Sequence, residues 1–405
     1  MKLHAFSLCL FACTACAFDI DDALDRLDNA LTISAFQDNL RARLSGTVDL
    51  EFYNFQQPPP GLIDSNIDNL FNYRLSLFVD AQFGSQFYFF AQTRLDRGFD
   101  PTDHGADIRL DEYALRVTPW TDGRFTFQLG QFATVVGNWV PRHLSWENPF
   151  INAPLVYESV TAIQDKYAPV SPAYFIYSPF FYPKYRFNPV IWGPSYASGF
   201  SVSGRLDRFD YAVEMKNASL SSRPESWYIT ENDFENPTFS GRVGFRPNEA
   251  WNLGFSASEG PYFRREAEPT LPAGDDIDDY REFVLGQDAS FAWHHLQVWA
   301  EFYEARFQVP NVGDVDTFAY YVEAKYKFAP QFFGAIRWNQ QLFSTISNGF
   351  GRNEHWSPDL ERIDIAATYR LTTHAQVKLQ YSFQHETSAP GQDNHLLATQ
   401  FTVRF

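Results

Sequence analysis

Apolar and polar residues alternate with a period of two in runs from Leu40 to the last residue, Phe405, and this pattern constrains the fold more than any other feature. The first run covers residues 40–53. Its apolar positions are Leu40, Ala42, Leu44, Gly46, Val48, Leu50 and Phe52. Such alternation is typical of a β-strand whose two faces meet different surroundings. Comparable runs recur about sixteen times, so we predict an all-β chain with an even number of antiparallel strands.

The connections between these runs alternate in length. Short links such as Gly84-Ser85 and Trp293-His294 alternate with long polar links such as residues 56–69 and 260–280. Short turns at one end and long loops at the other are typical of a transmembrane up-and-down β-barrel. A closed barrel also satisfies the backbone groups of every strand inside a bilayer, where water cannot do so.

The composition agrees with a barrel and argues against nucleic acid as a partner. Aromatic residues make up 18% of the chain, and the mean hydropathy is only slightly negative, at -0.33. An apolar outer face and a polar inner face together produce such an average. The formal net charge is -17, and no basic stripe dominates the sequence, as binding to a phosphate backbone would require.

The N-terminus has the features of a secretory signal. Residues 1–17 combine Lys2, an apolar stretch and the small-residue sequence Ala15-Cys16-Ala17, which predicts a cleaved signal peptide. A lipoprotein signal ending at Cys13 is the alternative. Residues 18–36 are predicted to form a periplasmic leader with a short helix, and residues 37–405 the barrel. All three cysteines lie in the signal, so we expect no disulfide, metal site or cofactor in the mature chain.

The third long connection, residues 133–199, differs from the other loops. It is far longer than an ordinary loop and rich in proline and aromatic residues. So much apolar surface is not expected to stand free in water. We therefore expect this loop to fold into the lumen or against the mouth of the barrel.

These features together resemble the general porins of Gram-negative bacteria. The segment Phe127-Gln128-Leu129-Gly130-Gln131-Phe132, followed by Gly137, also resembles the strand that enters the third loop in the phosphate-selective porins. The resemblance implies an outer-membrane location, a homotrimer, and contacts with membrane lipids, lipopolysaccharide and the barrel assembly machinery. It implies that the terminal aromatic Phe405 is the assembly signal. It also implies a third loop that narrows the pore, with candidate constriction residues Arg142, Glu147, Glu158, Asp165 and Lys166.

Ten basic residues occupy predicted inward positions on the first and last strands. Barrel closure makes these strands neighbours, so the side chains are expected to form a pore-lining basic arc. They are Arg41, Arg43, Arg74, Arg94, Arg116, Arg337, Arg362, Arg370, Lys378 and Arg404. Two interpretations stay open: the arc selects for anionic solutes across a field set up with the loop, or Asp and Glu neighbours pair with it and brace the barrel.

The sequence therefore predicts a passive porin for small hydrophilic solutes or ions, without enzymatic activity. Two alternatives from other classes remain. One is a rim enzyme, for which the chain offers only isolated loop histidines such as His355. The other is a structural or adhesive barrel with a plugged lumen. Neither the solute nor its charge follows from these patterns.

Overall fold

The computed structural model of the chain describes residues 21–37, 39–97, 106–387 and 392–405. The predicted signal peptide and its cysteines lie outside these residues.

Sixteen antiparallel strands form one closed sheet, as the alternation predicts. They are β1 (Leu40–Phe55), β2 (Asn69–Phe83), β3 (Phe87–Arg97), β4 (Ala106–Val117), β5 (Thr126–Phe132), β6 (Ala197–Leu206), β7 (Phe209–Lys216), β8 (Thr238–Phe245), β9 (Trp251–Pro261), β10 (Arg281–Trp293), β11 (Leu296–Val309), β12 (Gly313–Lys327), β13 (Phe332–Phe343), β14 (Leu360–Arg370), β15 (Ala375–Glu386) and β16 (Gln392–Arg404).

The barrel closes where the last strand meets the first. Strand β16 pairs with β1 in a register that runs from Leu396 opposite Phe55 to Arg404 opposite Thr47. Every barrel strand thus has a hydrogen-bonded neighbour on both sides, which satisfies its backbone groups without water. This pairing confirms the predicted position of the final strand.

The two faces of the wall differ in polarity. In β1, Phe52 points outward and is 47% exposed, whereas the side chain of Glu51 points inward and is 0% exposed. The same alternation places apolar side chains on the outside of the other strands, where a lipid bilayer would contact them. Examples are Phe71, Val79, Phe89, Leu115, Leu129, Phe200, Val213, Phe239, Leu253, Phe255, Leu285, Phe302, Val322, Ile336, Ile365, Leu379 and Leu397.

Short turns gather at one end of the barrel, which we call the periplasmic end because outer-membrane barrels carry their short turns there. Exposed aromatic side chains cluster next to these turns, as expected for an interfacial girdle. Among them are Phe83, Phe87, Trp120, Trp251, Trp293 and Phe328.

The predicted N-terminal helix covers residues 21–30 and is helix α1. Its side chains contact the last periplasmic turn and β1: Asp25 lies 2.9 Å from Nε2 of His374, and Asp28 lies 2.7 Å from Arg43. A short strand that the sequence analysis did not predict, Thr32–Ala35, follows and pairs with β1. In the described part of the chain, no helix is both long and apolar enough to cross a membrane.

The external end carries the remaining short elements. Helices α2 and α3 lie in the third loop, at Leu155–Glu158 and Pro172–Phe181. A small hairpin of Thr345–Ser347 and Asn353–His355 lies above β13 and β14. Single 3-10 turns occur at Val140–Arg142, Lys184–Arg186, Pro224–Trp227, Arg265–Thr270 and Ile277–Asp279.

Candidate functional site

The third external loop, residues 133–196 in the structure, enters the lumen. Its backbone contacts inward-facing side chains on the opposite wall: Ile151 donates its N–H to Gln380 over 2.6 Å, and the ammonium of Lys378 donates to the carbonyl of Asn148 over 2.7 Å. Phe150 and Tyr157 of the loop are buried between loop and wall. Part of the aromatic surface that made this loop unusual is thus covered inside the barrel, whereas Phe180 and Phe181 of helix α3 are 70% and 79% exposed.

Two glycines let the chain turn from β5 into the lumen. Gly130 in β5 and Gly137 at the start of the loop both have positive φ, 142° and 79°, which residues with a side chain rarely adopt. A Cβ atom on Gly137 would also collide with the hydroxyl of Tyr303 and the carboxylate of Glu301. The backbone conformation and the close packing therefore explain why glycine occupies these two positions of the porin-like segment.

Carboxylates of the wall accept hydrogen bonds from the start of the loop, where the backbone has no strand partner. Glu112 accepts from the N–H of Ala133 over 2.8 Å, and Glu301 accepts from the N–H of Trp139 over 2.9 Å. Glu301 also accepts from the hydroxyl of Tyr157 over 2.8 Å. Unpaired N–H groups in this interior would be costly, and charge-assisted bonds of this kind are stronger than neutral ones.

A buried ion network joins the middle of the loop to β12, β13 and β14. Arg362 lies 2.6 Å from Glu158 of the loop and 3.2 Å from Asp364. Arg337 lies 2.9 Å from Asp364 and also donates to the carbonyl of Asn152 over 3.1 Å. The charges in this network are compensated by one another and by loop carbonyls.

This network corrects part of the predicted basic arc. Arg337, Arg362 and Lys378 face inward, but they are only 0%, 1% and 1% exposed because the loop lies on them. They hold the loop and do not line open water. Alternation in the sequence shows which face of a strand a side chain occupies, but not what covers that face.

The predicted constriction residues fall into different places. Arg142 lies 2.6 Å from Glu323 of the wall, Glu158 belongs to the buried network, and Asp165 is buried 2.8 Å from Arg223 of another external loop. Lys166 lies 3.4 Å from Glu225 near the external surface. Of these five residues, Glu147 is the exposed one.

A narrow slot remains between the loop and strands β1 to β4. It has a volume of about 110 Å³ and is lined on the wall side by Arg74, Arg94 and Arg109. Trp139 and His143 belong to the loop side. A cavity of this size accommodates a few water molecules, so the slot suits ions or very small solutes.

The slot arginines lie beside carboxylates of the wall. Arg94 lies 3.1 Å from Asp96 and 3.3 Å from Asp111, and Arg74 lies 3.5 Å from both Glu51 and Asp96. Charge at the slot is therefore balanced, which favours the bracing interpretation for Arg74 and Arg94.

Sequence reasoning missed Arg109, which lies 3.3 Å from Asp111. The reason is an irregularity in the pairing of β3 and β4, where Gln92 is opposite Glu112 but Thr93 is opposite Leu110. The extra residue reverses the alternation above it. Strict alternation counted from Arg116 therefore places Arg109 on the wrong face.

His143 is held uncharged at the loop side of the slot. Its ring nitrogens lie 2.5 Å from the carbonyl of Val140 and 2.5 Å from the hydroxyl of Tyr196. Burial lowers the pKa of His143 to about 4, with nearby Arg94 acting in the same direction. Close to neutrality the imidazole therefore adds no charge to the slot.

Known proteins resemble this chain in fold, whereas no family model and no curated protein matches its sequence. OmpF of Salmonella typhi superposes with a TM-score of 0.58 at 11% identity, covering 92% of this chain and 100% of that one. An anion-selective porin from Comamonas acidovorans gives 0.54 at 9% identity, covering 90% and 100%. The outer-membrane channel DcaP of Acinetobacter baumannii gives 0.55 at 10% identity, covering 92% and 100%.

The fold is that of a porin-like outer-membrane barrel. Within this fold, the remaining members of the predicted basic arc lie near the periplasmic end. Arg43 pairs with Asp28 of helix α1, and Arg116 donates to Gln128 over 2.8 Å. Arg41 is exposed. We call this part of the lumen, at the periplasmic ends of the strands, the periplasmic vestibule.

Arg370 and Arg404 complete this end of the arc. Their guanidinium groups lie 5.3 Å and 4.0 Å from the ring centre of Trp146, which the loop carries to the bottom of the lumen. The adjacent Glu147 acts electrostatically on Arg404 and on Lys325 of β12. A loop carboxylate therefore acts on cations of the wall, as the field between loop and wall would require. It does so at the vestibule and not in the middle of the barrel.

Proposed function

We propose that this chain is an outer-membrane channel through which ions and small hydrophilic solutes diffuse passively. The observation that carries the proposal is the combination of a closed, outwardly apolar barrel with an arginine-lined slot beside the inserted loop. The likeness to porins and channels supports the fold. No covalent chemistry is assigned to the protein.

The width of the slot would limit the size of the solutes that pass through the channel. Its balanced arginines and carboxylates offer hydrogen-bond donors and acceptors in alternation, which replace part of the water shell of a passing ion. The pairing of Arg74 and Arg94 with carboxylates removes the main reason for a strong anion preference at this level. Any anion preference would then come from the vestibule.

The assembly in the membrane is part of the same proposal. The outward apolar face fits membrane lipids, and the external loops fit contact with lipopolysaccharide. A homotrimer is proposed on the likeness to the trimer form of OmpT of Vibrio cholerae, with a TM-score of 0.52 at 11% identity. Insertion by the barrel assembly machinery, with Phe405 as its signal, belongs to the proposal as well.

Single-channel recording in planar lipid bilayers tests the proposal. Purified, refolded protein in about 1 M KCl is expected to give steady conductance steps. These steps should be smaller than those of OmpF measured under the same conditions. The absence of steady steps from folded, heat-modifiable protein would overturn the channel proposal.

One structural feature favours a second candidate, a structural or adhesive barrel with a plugged lumen. The loop packs against the inner face of the wall from β10 to β16, and the slot beside it is narrow. The same recording separates the candidates. A plugged barrel gives no steady conductance until the loop is removed or detached from the wall.

A further inference from the structure

We propose that the periplasmic vestibule contains a binding site for small polyvalent oxyanions, formed by Lys325, Lys327 and Arg370. The site lies at the periplasmic ends of β12 and β14, where these three inward-facing side chains line one cavity. The ligand class is a di- or trivalent carboxylate or phosphate.

The cavity is large enough for such a ligand. Its volume is about 340 Å³, and the rings of Phe333 and His295 contribute to its lining. The ammonium of Lys325 lies 4.5 Å from the ring centre of Phe333, and the guanidinium of Arg370 lies 5.4 Å from the same centre. One aromatic ring thus holds two cations close together at the cavity wall.

The cations of this site lack the ion pairs that neutralise the arginines under the loop, Arg337 and Arg362. Within the ranges that the structure describes, Lys325, Lys327 and Arg370 form no ion pair, in contrast to Arg337 and Arg362. The Nε atom of Arg370 is buried and has no hydrogen-bond partner there. A buried donor without an acceptor is unfavourable, and an oxyanion would supply the acceptor.

Charge along the barrel axis favours access from the periplasmic side. The external loops are acidic: residues 217–237 carry four carboxylates and one arginine, and residues 262–280 carry six carboxylates and two arginines. Like charge at the external mouth repels a polyanion over a distance of about 10 Å at moderate salt. The vestibule presents the opposite sign.

The chemistry of the three side chains specifies more than one negative charge on the ligand. Two flexible ammonium groups and one planar guanidinium offer many donors and no acceptor. A monovalent anion would compensate only one of these three charges, and Glu147, which acts on Lys325 without forming an ion pair, would offset part of a second. Citrate and pyrophosphate both provide several oxygens on a small frame, and they separate a carboxylate ligand from a phosphate ligand.

Calorimetry on the folded, detergent-solubilised protein tests the site without relying on conductance. We expect citrate or pyrophosphate to bind at low ionic strength, and the variant K325Q/K327Q/R370Q to bind at least tenfold more weakly. The matched control is R265Q/R306Q, which removes two exposed arginines near the external end. Equal binding by wild type and the vestibule variant, or no binding by wild type, would overturn the site.

A bilayer experiment tests the direction of access and rests on the proposed function. The natural cysteines lie in the predicted signal, so a cysteine introduced by N353C in the external hairpin is the site that a thiol label reaches in the mature chain. Adding the thiol label to one side of the bilayer then shows which side the external end of the channel faces. Citrate added to the periplasmic side is expected to interrupt the current at lower concentration than on the external side. Equal block from both sides contradicts the proposed direction. Anion binding by a non-conducting barrel would refute the channel proposal and leave the site intact.

Discussion

Arg362 of the barrel wall donates a hydrogen bond of 2.6 Å to Glu158 of the third loop, and both side chains are buried. Arg362 also donates to the carbonyl of Ala153, while Glu158 accepts from the N–H of that same residue over 3.1 Å. The loop is therefore attached to the wall by a compensated pair of charges and by its own backbone. This arrangement makes the loop a fixed part of the lumen.

Replacing Arg362 with Gln should destabilise the barrel and loosen the loop. Removing one partner of a buried pair leaves the other charge uncompensated, at a cost of about 3–5 kcal/mol. Urea unfolding from lipid vesicles, followed by tryptophan fluorescence, measures the free energy of unfolding. The control R306Q breaks an ion pair to Asp316 whose side chains are 51% and 50% exposed, and it should cost less than about 1 kcal/mol.

The same R362Q variant should change the channel. A loop released from the wall leaves more open lumen, so the single-channel conductance is expected to rise or to fluctuate between levels. Conductance identical to that of wild type, together with a large loss of stability, would show that the pair supports the fold but not the position of the loop.

Replacing Arg74 and Arg94 with Gln should make the channel prefer cations. Both slot arginines lie beside Asp96, and their loss leaves wall carboxylates uncompensated where water is scarce. Reversal potentials across a KCl gradient measure the preference. The comparison variant R41Q/R43Q changes charge near the vestibule and should have a smaller effect. An unchanged reversal potential in R74Q/R94Q would contradict the assignment of the slot as the conducting path.

The stability of the protein should fall on acidification through His143. Its pKa in the folded protein is about 4, below the ordinary value of 6.5. Between these values the unfolded chain binds a proton at this residue and the folded protein does not, so the contribution of His143 is present above pH 6.5 and is lost as the pH falls towards 4. The loss amounts to at most about 3 kcal/mol.

Chemical unfolding between pH 7.5 and 4, roughly the range over which histidine changes charge, tests this expectation. Wild type should lose stability more steeply with falling pH than H143Q, which cannot take up a proton there. Parallel pH profiles for the two proteins would refute the assignment, whatever their difference in absolute stability.

Much of the fold was predictable because each strand contacts different surroundings on its two faces. Polar residues such as Glu51 therefore alternate with apolar residues such as Phe52 along the sequence. All sixteen strands show this alternation clearly enough to be recognised. The strand Thr32–Ala35 was not predictable in this way. It is short, and its position depends on β16 ending at Arg404 and leaving the lower edge of β1 unpaired.

The site was predictable only in part, because its chemistry depends on contacts between distant segments. Alternation places Arg337 and Arg74 on the inward face. The burial of Arg337 under Asn152 and the pairing of Arg74 with Glu51 arise from tertiary contacts, which alternation does not show. Nothing in the local sequence distinguishes an arginine that faces water from one that lies under a loop. The irregularity in β4 that turns Arg109 inward leaves no local signal either.

Replacing the terminal Phe405 with Ala should reduce the amount of barrel assembled in the outer membrane. Its backbone exchanges hydrogen bonds of 3.0 Å and 2.9 Å with Gly46 of β1, so it closes the seam between the last strand and the first. Its ring lies so close to Gly46 that a Cβ atom at that position would collide with it. The control F401A removes the same ring from the same strand but leaves Phe405 in place. Heat-modifiable protein in outer-membrane fractions measures assembly. We expect a severalfold decrease for F405A and a smaller one for F401A, and equal yields would refute a special role for the terminal residue.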